Sequence, residues 1–231
     1  MNAKWIDIPN VDKQGFSGYL ALPPTGTGPG IVLVQEIWGV NSHIRAVADQ
    51  YAKDGFVVLA PDVFWRQEAK VDLDYDEAGT AKAFELRQSV DDARAGADVA
   101  AAAEFLKTLP EVKGGVAAIG FCLGGQLAYR AAAAGSVDAA IAYYGGGIHG
   151  ALDLAEKITQ PILFHHAEND KMISADAVAD IKAAFAGSDN ARFFDYPGVD
   201  HGFNCWGRPM YDQKSAVLAH GRTLEFLAEQ L

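Results

Sequence analysis

Four apolar residues, Val116-Ala117-Ala118-Ile119, run straight into Gly120-Phe121-Cys122-Leu123-Gly124-Gly125, and this junction limits the fold more than any other stretch of the chain. A continuous apolar run of that length reads as a strand covered on both faces, as in a parallel sheet. The glycines two residues before Cys122, and two and three after it, mark a strand-to-helix turn too tight for Cβ atoms. A cysteine on such an elbow stands at the carboxyl end of its strand, in the position of a nucleophile. The competing reading is a buried structural cysteine beside a glycine turn.

Two later segments repeat the form of a short strand followed by a polar loop. Pro161-Ile162-Leu163-Phe164-His165-His166 leads into Ala167-Glu168-Asn169-Asp170, and Arg192-Phe193-Phe194-Asp195-Tyr196 leads into Pro197-Gly198-Val199-Asp200-His201-Gly202-Phe203. An elbow nucleophile is followed in chain order by an acid and then a histidine. Asp170 and His201 take those places. Asp200 is the rival acid, but as the sequence neighbour of His201 it reaches that ring's Nδ1 only awkwardly. All three candidates leave the carboxyl ends of successive strands, where open α/β sheets build their sites.

The remaining segments alternate between strand and helix. Trp5 to Ile8 and Phe16 to Leu22, separated by Asp12, Lys13 and Gly15, suggest an opening antiparallel hairpin, and Pro23 to Gly30 a loop. Ile31–Val34 and Phe56–Ala60 read as buried parallel strands. The helix between them is capped by Asn41 or Ser42 and stopped at Gly55. Further helices are expected over Asp91 to Leu109, Gln126 to Ala134, Ser174 to Ala186, and Tyr211 to the C-terminus, with a strand over Ala139 to Tyr144. The expected fold is therefore α/β, a mostly parallel, doubly wound sheet with helices on both faces. Residues 1–231 form one domain, since no linker, repeat or low-complexity tract divides them.

The net charge of −11 and the lack of a Lys/Arg cluster speak against nucleic acid as a partner. Neither an apolar leader segment nor a run of 18 apolar residues is present, so no membrane association is expected. Two cysteines make no disulfide framework, which fits a reducing, cytoplasmic location. A monomer acting on a small molecule, with no cofactor, is the expected form. The six histidines lack H-E-x-x-H, and His165 and His166, adjacent on a strand, point to opposite faces, so a metal site is not expected.

With these motifs in place, the whole chain resembles the dienelactone hydrolase family of the α/β-hydrolase superfamily. Besides Gly-Phe-Cys-Leu-Gly-Gly, the segments Gln35-Glu36-Ile37-Trp38-Gly39-Val40-Asn41 and Tyr143-Tyr144-Gly145 carry the resemblance. It implies the α/β-hydrolase fold and a triad of Cys122, Asp170 and His201 that cleaves an ester or lactone. It further implies that Glu36 contacts the resting thiol, then moves on substrate binding and takes its proton. Independently, a carboxylate ending an apolar strand is costly to bury unless paired, so Glu36 should face the site. An oxyanion would be held by the N–H groups of Ile37 and Leu123.

Trp38 and Tyr144 are expected to wall the pocket. The two arginines with which the family binds a substrate carboxylate align here with Thr80 and Cys205. If residues 77–90 are helical, Thr80, Phe84 and Arg87 share a face, so Arg87 is a candidate to bring a charge to the pocket, and Arg208 a candidate to stand in for Cys205. Both could equally be solvated. A general carboxylesterase or thioesterase, or a non-catalytic binding protein of the same fold, remains the alternative function.

Overall fold

The computed structural model describes residues 2–9 and 16–231. Strands β1 (Asn2–Ile8) and β2 (Phe16–Leu22) pair antiparallel from Asn2 opposite Leu22 to Ile8 opposite Phe16, giving the expected hairpin. The turn assigned to Asp12, Lys13 and Gly15 lies outside the described residues. The other strands are β3 (Gly28–Val34), β4 (Val57–Pro61), β5 (Val112–Phe121), β6 (Ala139–Tyr143), β7 (Ile162–Ala167) and β8 (Ala191–Tyr196). Among the described residues they form one sheet in the order β1-β2-β4-β3-β5-β6-β7-β8, parallel from β4 to β8. The segment read as a loop to Gly30 gives up its last residues to β3, where Gly28 pairs with Val112.

The helices are α1 (Ser42–Lys53), α2 (Glu77–Gln88), α3 (Asp92–Lys107), α4 (Leu123–Ala133), α5 (Ala175–Ala184) and α6 (Gln213–Gln230). The period of two along a strand divides the core into two layers. Val32, Val34, Val116 and Ala118 pack with residues of α3 and α4, whereas Ile31, Leu33, Ala117 and Ile119 pack with residues of α1 and α6. Both faces are covered, which is why these strands read as unbroken apolar runs. The start of α1 is set by Asn41, whose Oδ1 accepts the Ile44 N–H at 3.1 Å, and Asp76, Asp91, Ser174 and Asp212 cap α2, α3, α5 and α6 in the same way.

Helix α4 begins at Leu123, three residues before the expected Gln126, because Cys122 itself occupies the cap position. The two glycines that weaken a helix by propensity are included because the turn requires them there. Strand β3 lies between β4 and β5, with α1 leaving it on one side of the sheet and α3 leading into β5 on the other. Such a reversal opens a crevice at the carboxyl ends of the two strands. Glu36 follows β3 and Cys122 follows β5, so both stand at that crevice.

Candidate active site

Cys122 has φ 55° and ψ −116°, a left-handed backbone that non-glycine residues rarely adopt and that costs on the order of 1–3 kcal/mol. Its N–H donates to Tyr143 O at 3.0 Å, and its carbonyl accepts the Gly125 N–H at 3.0 Å. The neighbouring glycines are fixed by contact. A Cβ at Gly120 would fall on the Gly124 carbonyl, one at Gly124 on the carbonyl oxygens of Val34 and Gln35, and one at Gly125 within 2.8 Å of Gly145 Cα. The first turn of α4 is thus pressed against the end of β3, which brings the Leu123 amide toward the Glu36–Ile37 segment. Among the described residues neither the Leu123 nor the Ile37 N–H has a hydrogen-bond acceptor.

Asp170, on the loop after β7, and His201, on the loop after β8, meet at 2.7 Å between Oδ2 and Nδ1. The other carboxylate oxygen accepts the N–H groups of Met172 (2.8 Å) and Ile173 (3.0 Å), so the acid is aimed by its own loop. Asp200 is exposed, which leaves Asp170 as the partner of the ring. His201 Nε2 is buried, with no partner other than the Cys122 sulfur it faces. Burial opposes charge on the imidazole, but the Cys122 charge, followed by Asp170, overcomes it and pushes His201 up to about 10. Tyr144, with φ 36°, lies over this ring at 5.0 Å between centroids and is 1% exposed. Two of the three left-handed non-glycine residues among those described, Cys122 and Tyr144, therefore sit at one site.

Glu36 is 1% exposed and doubly held: Arg208 Nη1 donates to Oε1 at 3.2 Å and the Tyr75 hydroxyl to Oε2 at 3.3 Å. Both carboxylate oxygens are thus engaged by a guanidinium and a phenol, where the resemblance implies a contact with Cys122; each is a stronger donor to a carboxylate than a thiol. Arg208 also lies 4.6 Å over the Trp38 ring. Burial works against the guanidinium's charge, but Glu36 keeps it on the charged side. Trp38 packs edge-on against Tyr75 at 5.0 Å, and His43 lies between Tyr75 and Trp206. Burial, assisted by Arg208, brings His43 down to about 4, so it is neutral near pH 7. Cys205 is fully buried, and burial together with Glu36 pushes its thiol up to about 12, a poor state for a second nucleophile.

Arg87 takes a different place from the one expected. Helix α2 forms, but the Arg87 guanidinium pairs with Asp92 at 2.9 and 3.1 Å, and Asp92 also accepts from Gln126 of α4. The acid at the start of the next helix is closer along the chain than the pocket, and it captures the cation. Arg208 is the arginine that reaches the site. Tyr75 carried no signal in the sequence, since a lone aromatic in the loop before α2 is indistinguishable there from a core cover. Among the described residues, no group of three or more His, Cys, Asp or Glu side chains is arranged to hold a metal, and no helix is long and apolar enough to cross a membrane.

Comparison with known proteins bears on the chain as a whole. The model of the dienelactone hydrolase family matches residues 16–231. The carboxymethylenebutenolidase 1 of Cupriavidus pinatubonensis is 34% identical over 224 residues, covering 96% of this chain and 95% of its own. The carboxymethylenebutenolidase of Pseudomonas putida is 32% identical over 229 residues, covering 99% and 97%. A crystal structure of a Klebsiella pneumoniae protein, provisionally called a dienelactone hydrolase, superposes with a TM-score of 0.86 at 29% identity over 98% of each chain. The elbow, the sheet order and these matches agree: the chain belongs to the dienelactone hydrolase family of carboxylic ester hydrolases.

Proposed function

We propose that this chain opens activated esters, foremost enol lactones of the dienelactone kind, through a Cys122–His201–Asp170 triad and a thioester acyl-enzyme. The observation that carries the reading is the strained Cys122 at the start of α4 facing the buried Nε2 of a histidine whose Nδ1 is held by Asp170 at 2.7 Å. The curated relatives, named carboxymethylenebutenolidases, supply the substrate class.

In this mechanism Cys122 attacks the ester carbonyl as a thiolate whose proton already sits on His201 Nε2, in keeping with the ring being pushed up to about 10 by the Cys122 charge. Asp170 keeps the ring's other nitrogen protonated and stabilises the imidazolium. The negative oxygen is received by the Leu123 and Ile37 N–H groups, each worth roughly 2.7–4 kcal/mol by analogy with other oxyanion holes. The enol oxygen is expelled as the ring opens and takes the proton from His201 Nε2, the thioester remains, and water activated by the now neutral His201 releases the acid and returns a proton to the Cys122–His201 pair.

Sulfur narrows the substrates. A thiolate is itself a good leaving group, so the tetrahedral adduct collapses backwards unless the departing oxygen is easily expelled. An enol or aryl ester meets that demand without a strong general acid, whereas an amide or alkyl ester does not.

The test is steady-state hydrolysis of cis- and trans-dienelactone, their methyl esters, p-nitrophenyl esters and acyl-CoA thioesters by the wild type and Cys122→Ala. Turnover of the enol lactones that is lost in the variant supports the reading. Equal rates for wild type and variant on every substrate would sink it. Turnover of acyl-CoA alone would make the chain a thioesterase. Arg87→Ala should leave any preference for the carboxylated lactone unchanged, since that guanidinium is committed to Asp92.

A further inference from the structure

Between the ends of β7 and β8 and helix α5, beside the loop that carries Asp170, lies a surface pocket of about 320 Å³ that the chemistry above does not use. Ile173, Val178 and Pro197 give it an apolar wall, and His166, Lys182 and Asp195 form its polar end. His166 is 3% exposed and stacks parallel to Phe164 and Phe193, with centroids 5.9 and 6.2 Å away. Its Nδ1 is buried with no hydrogen-bond partner. Asp195 Oδ1 stands 3.7 Å from that nitrogen, too far for a hydrogen bond, and Oδ2 is taken by Lys182 Nζ at 2.6 Å. A buried polar atom left unpaired is costly, and the cavity is the side from which a partner can approach.

Chemistry narrows the partner. Burial, only partly opposed by Asp195, brings His166 down to about 4, so the ring is neutral, with one donor and one acceptor nitrogen. Lys182 is neutralised by Asp195, and Glu168 adds a further carboxylate to the lining, so an anion gains nothing there. A hydroxyl satisfies the arrangement, because it donates to the imidazole or the Asp195 carboxylate and accepts from the ammonium. The walls call for a compact hydrocarbon body, and the volume lies at the small end of ligand sites.

We propose that this cavity binds a small uncharged hydroxyl compound, a phenol or a cyclic alcohol, and that occupancy acts on the Asp170–His201 pair. Ile173 lines the cavity, and its N–H donates to Asp170 Oδ1 at 3.0 Å. Pro197, also in the lining, opens the loop that ends in His201. Glu168 ties the two loops together: its N–H donates to Tyr196 O at 3.0 Å, and its carboxylate accepts the Gly198 N–H at 2.7 Å. The action on the pair rests on the triad reading; the binding site does not.

The experiment follows amide shifts of the ¹⁵N-labelled full chain during titration with phenol, cyclohexanol and benzoate. Wild type, Ala179→Phe, which adds bulk to the exposed part of the lining, and His166→Phe, which keeps the ring stack but removes the nitrogens, are compared. Saturable shifts at Ile173 and Val178 with phenol or cyclohexanol, at least tenfold weaker in both variants and without saturation by benzoate, are expected. Absence of saturable shifts in the wild type, equal binding of benzoate, or variants that bind as the wild type does overturn the site. If Ala179→Phe does not fold, His166→Phe decides alone. Saturating phenol should change kcat on an enol lactone, whose opening releases no phenol, at least twofold in the wild type and not in a variant. An unchanged kcat overturns the coupling. Should the chain open no lactone, the triad reading fails by itself, and the amide shifts still decide the site.

Discussion

Replacing Arg208 with Met tests whether the Glu36–Arg208 pair is the structural keystone of the crevice. The two groups are 3.2 Å apart, and their side chains are 2% and 13% exposed. At an effective dielectric of about 20, that separation corresponds to an attraction of about 5 kcal/mol before desolvation is subtracted. Removing one member of a buried pair leaves the other charged and unpaired, which costs about 3–5 kcal/mol. Met retains a hydrophobic stem against Trp38, so the loss is chiefly electrostatic. For a chain of this length each kcal/mol moves Tm by about 2–4 °C, so Arg208→Met should lower Tm by roughly 6–20 °C. Urea unfolding with an unchanged m-value would give the same loss as a free energy. The second substitution Glu36→Gln, made in the Arg208→Met background, should recover at least about half of it, because the stranded charge is gone. A single variant that loses under about 1 kcal/mol, or a double variant no more stable than the single, would refute the reasoning.

Three further outcomes are expected. Asp170→Asn keeps an oxygen for the Met172 and Ile173 amides but offers an amide donor to His201 Nδ1, so kcat should fall by about 10⁴ while Tm changes little; an activity loss under tenfold would count against Asp170 as the acid. At the left-handed Cys122, Cys122→Gly should be more stable than Cys122→Ala by about 1 kcal/mol, the reverse of the usual order, and urea unfolding in which Ala is the more stable would contradict backbone strain at the elbow. His201 is raised from 6.5 to about 10 in the folded protein, so its contribution to stability is fully present below pH 6.5 and is lost as pH rises toward 10. Because the Cys122 charge is the largest cause that raises it, Cys122→Ala should titrate at lower pH when the ring protons are followed by NMR; an unmoved titration would show that the two groups are not coupled.

What the sequence determined by itself is whatever local sterics and periodicity dictate. Val116–Ile119 followed by glycines at fixed offsets from Cys122 admits little but a buried strand and a sharp elbow. Ser174, and Asn41 as one of two candidates, announced their helices by capping chemistry, and the strand-then-loop form brought Asp170 and His201 into view. These signals act within a few residues and survive without knowledge of the neighbours. Tertiary structure alone decided the partners of charges. Arg87 and Arg208 carry the same local information as any surface ion, yet Arg87 pairs with Asp92 five residues on, and Arg208 crosses 172 positions to reach Glu36. The start of α4 at Leu123, the role of Tyr75 and the cavity beside His166 were hidden for the same reason. Each depends on which backbone or ring approaches from a distant segment, and long-range approach follows from the packing of the whole sheet.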